Sequence, residues 1–435
     1  MTASKNQYRP GLSETLFRWF YSLVLALIVP FAFLNLIIRG QRRNKEYNHR
    51  RFERFGFVRQ PAAPGGYLFH CVSVGEVVAA SVLIKQLMKE EPETPVTITT
   101  TTPTGSARVR SIFKDTVHHF YLPYDLHMAM AGMLRRVKPK MVLITEVELW
   151  PNLIHSCWRR DIPVVVINAR MTDRSARRYK KLKILFEPML HKLSHVCAQG
   201  MRDFKNYQFL GIEKEKLTLT NNIKFDQAMS APDAGDSFYG LEKNSRRVLV
   251  GGSTHEGEES ALLDAYQSLK PGFPDLLLIL VPRHPERFAR VADLLEQTGL
   301  HYLRTASPGG QVSSETDVML VDEMGKLNRV YTFGTIAFVG GSLADKGGHN
   351  ALEPAAQKLP VIMGPNVYNN PLICQYLQEC GALSIVGDAT QLAECCKTLL
   401  DSPDAVRVAG EAGFAVISAN RGATGKTLEV IRSSL

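Results

Sequence analysis

The sequence predicts an α/β protein with two doubly wound parallel sheets behind an N-terminal apolar helix, and three observations carry that prediction. Short β-branched runs alternate with helical-period stretches along most of the chain, the pattern of parallel strands joined by crossover helices. A polar segment bearing Gly, Pro and Asp, Ser230 to Ser237, divides that alternation near its middle. An uninterrupted apolar stretch, Trp19 to Ile38, precedes all of it.

The apolar stretch comes first. A helix of about 20 apolar residues covers the hydrocarbon layer, and Lys/Arg clusters beside one end stay on the cytoplasmic side. Arg39, Arg42, Arg43, Lys45, Arg50, Arg51 and Arg54 form such a cluster, so residues 1–45 read as a single-pass transmembrane anchor with a basic collar and the body as cytoplasmic, at an inner membrane. Pro30 and Asn35 leave a shallow interfacial helix as the alternative. A secretory signal would have a shorter apolar region and a small-residue cleavage site, and none precedes the basic run. The formal charge of +10 and pI near 9.2 then suit anionic lipid headgroups better than nucleic acid, which is not expected as a partner. Seven cysteines without a C-x-x-C pair indicate neither a disulfide framework nor a zinc site.

The expected strands are Val96-Thr102, Met141-Thr145, Pro163-Asn168, Arg247-Gly252, Leu276-Pro282, Ile336-Gly341 and Pro360-Gly364, with helices such as Val77-Lys89 and Ser260-Leu269 between them. Residues 46–229 and 238–435 become two domains across the 230–237 linker, the last helix being a candidate to pack back on the first domain. Ligands of such sheets bind beyond the carboxyl ends of the strands, which predicts a cleft between facing domains.

Each motif with chemical content follows a strand. His70-Cys71-Val72-Ser73-Val74-Gly75-Glu76 leads into a helix: Gly75 admits close backbone approach, and Glu76 reads equally as a general base or as a first-turn carboxylate answering the helix dipole. Glu146 and Glu148 follow Met141-Thr145, and strand alternation sends them to opposite sides. Lys224, in Asn222-Ile223-Lys224-Phe225-Asp226, suits an anion or plain solvent.

In the second half, Gly251-Gly252-Ser253-Thr254-His255 has the composition of an anion loop, and Arg283 between Pro282 and His284-Pro285 is placed for a phosphate or a structural ion pair. Gly340-Gly341-Ser342 and Gly347-Gly348-His349-Asn350 lead into Ala351-Leu352-Glu353-Pro354, where helix amides suit phosphate and Glu353 suits sugar hydroxyls. Met324-Gly325-Lys326 offers further backbone donors or an ordinary helix cap. His255, His284 and His349 have no metal-ligand spacing, and no metal is expected.

With His70-Glu76, Thr145-Asn152, Ile167-Arg170, Asn222-Asp226, Pro282-Phe288, Gly340-Ser342 and Gly347-Pro354 in this order, the chain resembles the 3-deoxy-D-manno-octulosonic acid (Kdo) transferases of lipopolysaccharide synthesis, GT-B glycosyltransferases. The resemblance spans nearly the whole chain. It implies transfer of Kdo from CMP-Kdo to a lipid A precursor with inversion, Glu76 as base, and Glu146 and Lys224 as transition-state stabilisers. It further implies CMP contacts at Pro282, Arg283, Met324, Gly325, Lys326, Asn350, Ala351, Leu352 and Glu353, with Ser73, Gly75, Ser253, Thr254, Gly341 and Ser342 as additional candidates and no cofactor. Cys71 stands where the family usually has Ala, Val147 where Thr is common, and Asn221 where Gly is common. A GT-B enzyme using a UDP-sugar, an epimerase of that architecture and a non-catalytic nucleotide-sugar sensor are the rival readings; cytidine preference and product formation separate them.

Overall fold

A computed structural model describes residues 8–42, 45–228 and 235–435, and most of the expected linker therefore lies outside the described residues. The chain divides into two compact units, 1–227 with 422–435, and 228–421. The first holds a parallel sheet of β1 (Tyr67–His70), β2 (Val96–Thr100), β3 (His118–Tyr121), β4 (Met141–Thr145), β5 (Val164–Ala169), β6 (His195–Ala198) and β7 (Leu217–Leu219), in the order 3-2-1-4-5-6-7. Its central strands β4 and β5 read as near-continuous apolar runs because both faces are covered. Leu68, Val142, Ile144 and Val166 pack on one side, and Phe69, Leu143, Val165 and Ile167 on the other. The second side is completed by Leu428 and Ile431 of the last helix, Ala423–Ser433. Asp226 fixes that helix by accepting from the N–H groups of Gly422 and Thr424 at 2.8 and 2.7 Å.

After a short hairpin of β8 (Ser237–Phe238) and β9 (Leu241–Glu242), the second unit repeats the plan. Its strands are β10 (Val248–Thr254), β11 (Leu277–Pro282), β12 (Tyr302–Arg304), β13 (Val318–Leu320), β14 (Ile336–Val339), β15 (Val361–Met363) and β16 (Leu383–Ile385), ordered 12-13-11-10-14-15-16. In each sheet the order reverses beside the first strand, at β1/β4 and at β10/β14. These switch points are where crevices open at the carboxyl ends of strands. The strand expected over Val96-Thr102 ends at Thr100, and Thr102 caps the following helix, its hydroxyl accepting from the Gly105 N–H at 3.1 Å.

The apolar stretch forms one helix, α1 (Leu12–Arg42), long and apolar enough by length and composition to cross a membrane. The basic collar is smaller than the sequence implied. Arg54 is buried, donating to the Thr101 carbonyl at 2.6 Å, and Arg50 donates to the His119 carbonyl at 3.0 Å and to Ser106 at 2.9 Å. Both brace the first unit, because a guanidinium offers five donors to satisfy carbonyls that a loop leaves orphaned. Arg43 lies outside the described residues.

Candidate active site

At the β1/β4 switch point, Ser73 caps the helix α2 (Val74–Glu90) and Glu76 is buried in its first turn. The Glu76 carboxylate accepts from the Val72 N–H at 2.9 Å and the Ser73 hydroxyl at 3.0 Å. The Thr145 hydroxyl lies 2.6 Å from its Oε2 and 2.8 Å from the His70 carbonyl. Glu76 is thus a helix-start carboxylate held in a fixed position, as one of the two readings of the sequence had it. Gly75 is exposed beside it.

Glu146 and Glu148 do not go to opposite sides. Strand alternation puts residues two apart on the same face, so the expected separation misapplied the period of two, and here the strand in any case ends at Thr145, with Glu146 at φ 56°. Both carboxyls are raised, first by burial and then by the negative charge of Glu76 among others, Glu148 to about 7. Lys224 and Arg170 oppose that charge at Glu146. Burial lowers the Lys224 ammonium, while Glu146 and Glu76 hold it up and Arg170 lowers it further. Glu76, Glu146, Glu148, Lys224 and Arg170 therefore form one partly buried charge cluster.

The backbone around Lys224 explains why three asparagines flank this cluster. Asn221 has φ 69°, a left-handed conformation in which Asn is the side chain best tolerated after Gly. The departure from the family's glycine keeps the turn. Asn168, at φ 49°, accepts from the Ile223 N–H at 3.1 Å, and Asn222 accepts from the Lys224 N–H at 3.0 Å.

At the β10/β14 switch point several of the candidate residues are engaged by the fold itself. Glu258, buried, accepts from the N–H groups of His255, Gly341, Ser342, Leu343 and Ala344 at 2.8–3.2 Å. The anion held by Gly341 and Ser342 is therefore a carboxylate of the chain itself. Gly340 is glycine because a Cβ there would lie 2.3 Å from the Ser253 carbonyl. Ser253 is left-handed at φ 55°, and the Thr254 hydroxyl donates to Glu259 at 2.9 Å, which in turn pairs with Arg287 at 2.8 Å. Thr254 and Ser342 are committed to the fold.

Arg283, exposed at the end of β11, stands among His349 and Glu353. The Nε2 atoms of His255 and His349 are 2.8 Å apart, and the His284 ring lies 5.4 Å from that of His255. Burial, then Arg283 and the two neighbouring rings, push His349 down to about 4. Asn350 donates to Glu353 at 3.2 Å and accepts from the Leu352 N–H at 3.2 Å, shaping the turn that holds Ala351. Burial raises the Glu353 carboxyl, with Asn350 and Arg283 opposing it. Spacing hid this histidine group because its members follow three different strands. Met324-Gly325-Lys326 forms its own turn after β13, with Gly325 at φ 83° and Met324 exposed.

Two doubly wound units, each with a polar cluster at its switch point, define the class, an α/β protein of GT-B architecture. Solved structures agree on the fold alone. A putative UDP-N-acetylglucosamine 2-epimerase from Listeria monocytogenes has a TM-score of 0.57 at 13% identity, covering 85% of this chain and 96% of that one. MurG from Acinetobacter baumannii has a TM-score of 0.55 at 10% identity, covering 84% and 99%. Residues 49–227 match the family model of 3-deoxy-D-manno-octulosonic-acid transferase (kdotransferase). The 3-deoxy-D-manno-octulosonic acid transferase of Haemophilus influenzae is 40% identical over 97% of this chain and 99% of its own length. The chain belongs to the Kdo transferase family and is a glycosyltransferase.

Proposed function

We propose that the protein transfers Kdo from CMP-Kdo to a lipid A precursor, lipid IVA, in lipopolysaccharide synthesis, with inversion at the anomeric carbon and no metal ion. The observation that carries this reading is the Glu76 carboxylate, fixed by three donors beside two cations and two further carboxyls. A carboxylate has about four acceptor positions, which leaves one for an incoming hydroxyl. The acceptor O–H bond breaks as its proton passes to Glu76, and the oxygen bonds to the anomeric carbon from the face opposite CMP. The bond from that carbon to the phosphate oxygen breaks, and CMP leaves with the electron pair.

Lys224 and Arg170 bind the donor's sugar carboxylate, and Glu146 favours the positive charge developing on the ring. Arg283, the Asn350-Glu353 turn, Pro282 and Met324-Lys326 hold CMP, the guanidinium meeting the phosphate. A monophosphate needs no divalent ion to offset a pyrophosphate. α1 anchors the protein to the inner membrane, with the catalytic units on the cytoplasmic face. Two variants test the division of labour. Glu76→Gln loses at least about a hundredfold in turnover with CMP affinity retained, whereas Arg283→Ala weakens CMP binding as well as rate. Near-normal turnover of the first, or unchanged calorimetric CMP affinity of the second, would contradict the assignment.

A further inference from the structure

We infer that α1 lies in the plane of the membrane, strapped along the first unit with both ends on the cytoplasmic side, and does not cross the bilayer. The inference rests on the anchoring just proposed and fixes its orientation. The helix is not surrounded evenly. Buried and half-buried positions recur at Arg18, Tyr21, Ser22, Leu25, Val29 and Phe33 down to Gly40, one stripe of helical period against the first unit. The opposite stripe, including Leu12, Leu16, Phe20, Leu27, Phe31 and Leu34, is exposed.

The inner stripe is polar where it docks. Arg18 donates to Asn152 Oδ1 at 3.2 Å, the Tyr21 hydroxyl to Asp125 at 3.1 Å, and Asn152 Nδ2 to the Ser22 hydroxyl at 2.9 Å. Asp125 and Asn152 are both buried, and Asp125 also accepts from the N–H groups of Asn152 and Leu153 at 2.8 Å. Farther along, Phe33 meets Phe55 edge-on at 4.9 Å, and a Cβ at Gly40 would lie 2.5 Å from Asn48. Docking contacts from Arg18 to Gly40 cover ~33 Å of helix, more than the hydrocarbon layer of about 30 Å. A crossing helix would carry Asp125, Asn152 and Asn48 into hydrocarbon or break every one of these bonds. Crossing and docking exclude each other.

The exposed stripe fits one partner, an anionic lipid leaflet. Its exposed positions are apolar from Leu16 to Leu34, and it ends in exposed Arg39 and Arg42. The helix Lys183–His191, packed on α1, begins with exposed Leu182 and Ile184 and follows the strongly basic helix Asp173–Lys181. Apolar side chains flanked by cations are what an interfacial helix presents to acyl chains and headgroups together. Gly11 precedes α1, and a Cβ there meets nothing closer than 4.0 Å, so Gly11→Cys gives an accessible reporter. The full-length variant, in spheroplasts, is treated with a membrane-impermeant maleimide before and after permeabilisation, with the unsubstituted chain as reference. The in-plane helix predicts reaction at residue 11 only after permeabilisation, with the chain in the membrane fraction. Reaction in intact spheroplasts would overturn the orientation while leaving the anchor, and recovery of the chain in the soluble fraction would remove the anchor itself.

Discussion

At the residue scale, the first switch point gathers carboxyls, two of which burial raises. Glu148 is raised to about 7 by burial first and then by Glu76, against an ordinary value near 4.5. Between those values the folded chain binds the proton that the unfolded chain has released, so stability falls as pH rises through that window. Glu148→Gln removes the titration and should be more stable than the parent at pH 8, by ~1–2 kcal/mol after screening, and no more stable at pH 4. Melting temperatures at the two values check this; an unchanged difference would place Glu148 in water. Glu76 was legible as a motif residue because a Ser-x-x-Glu helix start is local in sequence. The neighbourhood of Glu148 was not, because it depends on a left-handed Glu146 that no alternation rule anticipates.

At the element scale, the strands that could be read are those buried on both faces, such as Met141–Thr145, recovered residue for residue. His118–Tyr121 and His195–Ala198 escaped notice because histidines open short edge-side strands and interrupt the apolar run. The glycine loop after β14 looked like a phosphate site, and its amides do bind an anion, but Glu258 supplies it across about 80 residues of sequence. Glu258→Ala should leave five N–H groups without their acceptor and destabilise the second unit by ~3–5 kcal/mol, as breaking a buried charged network does. Denaturant unfolding measures it, and a change under about 1 kcal/mol would mean that water replaces the carboxylate freely. The N-terminal apolar helix shows the same limit in another form. Its length and hydropathy were plain in the sequence, whereas the docking stripe needed Asp125 and Asn152 from elsewhere in the chain.

At the scale of the whole molecule, two similar sheets present unlike chemistry: three carboxyls with Lys224 and Arg170 at the first switch point, three imidazoles with Arg283 and Glu353 at the second. That asymmetry suits an enzyme whose first unit activates an acceptor and whose second binds a nucleotide, and family membership gives the transferred sugar its name. One measurement tests this most directly. Purified full-length protein is incubated in detergent with lipid IVA and CMP-Kdo, with and without EDTA, and the lipid product and released nucleotide are followed by mass spectrometry. Kdo transfer predicts lipid IVA heavier by whole Kdo units, one CMP released for each, at a rate that EDTA leaves unchanged. Lipid IVA recovered at its original mass with CMP-Kdo unconsumed, or transfer lost in EDTA and restored by one divalent metal alone, would contradict it.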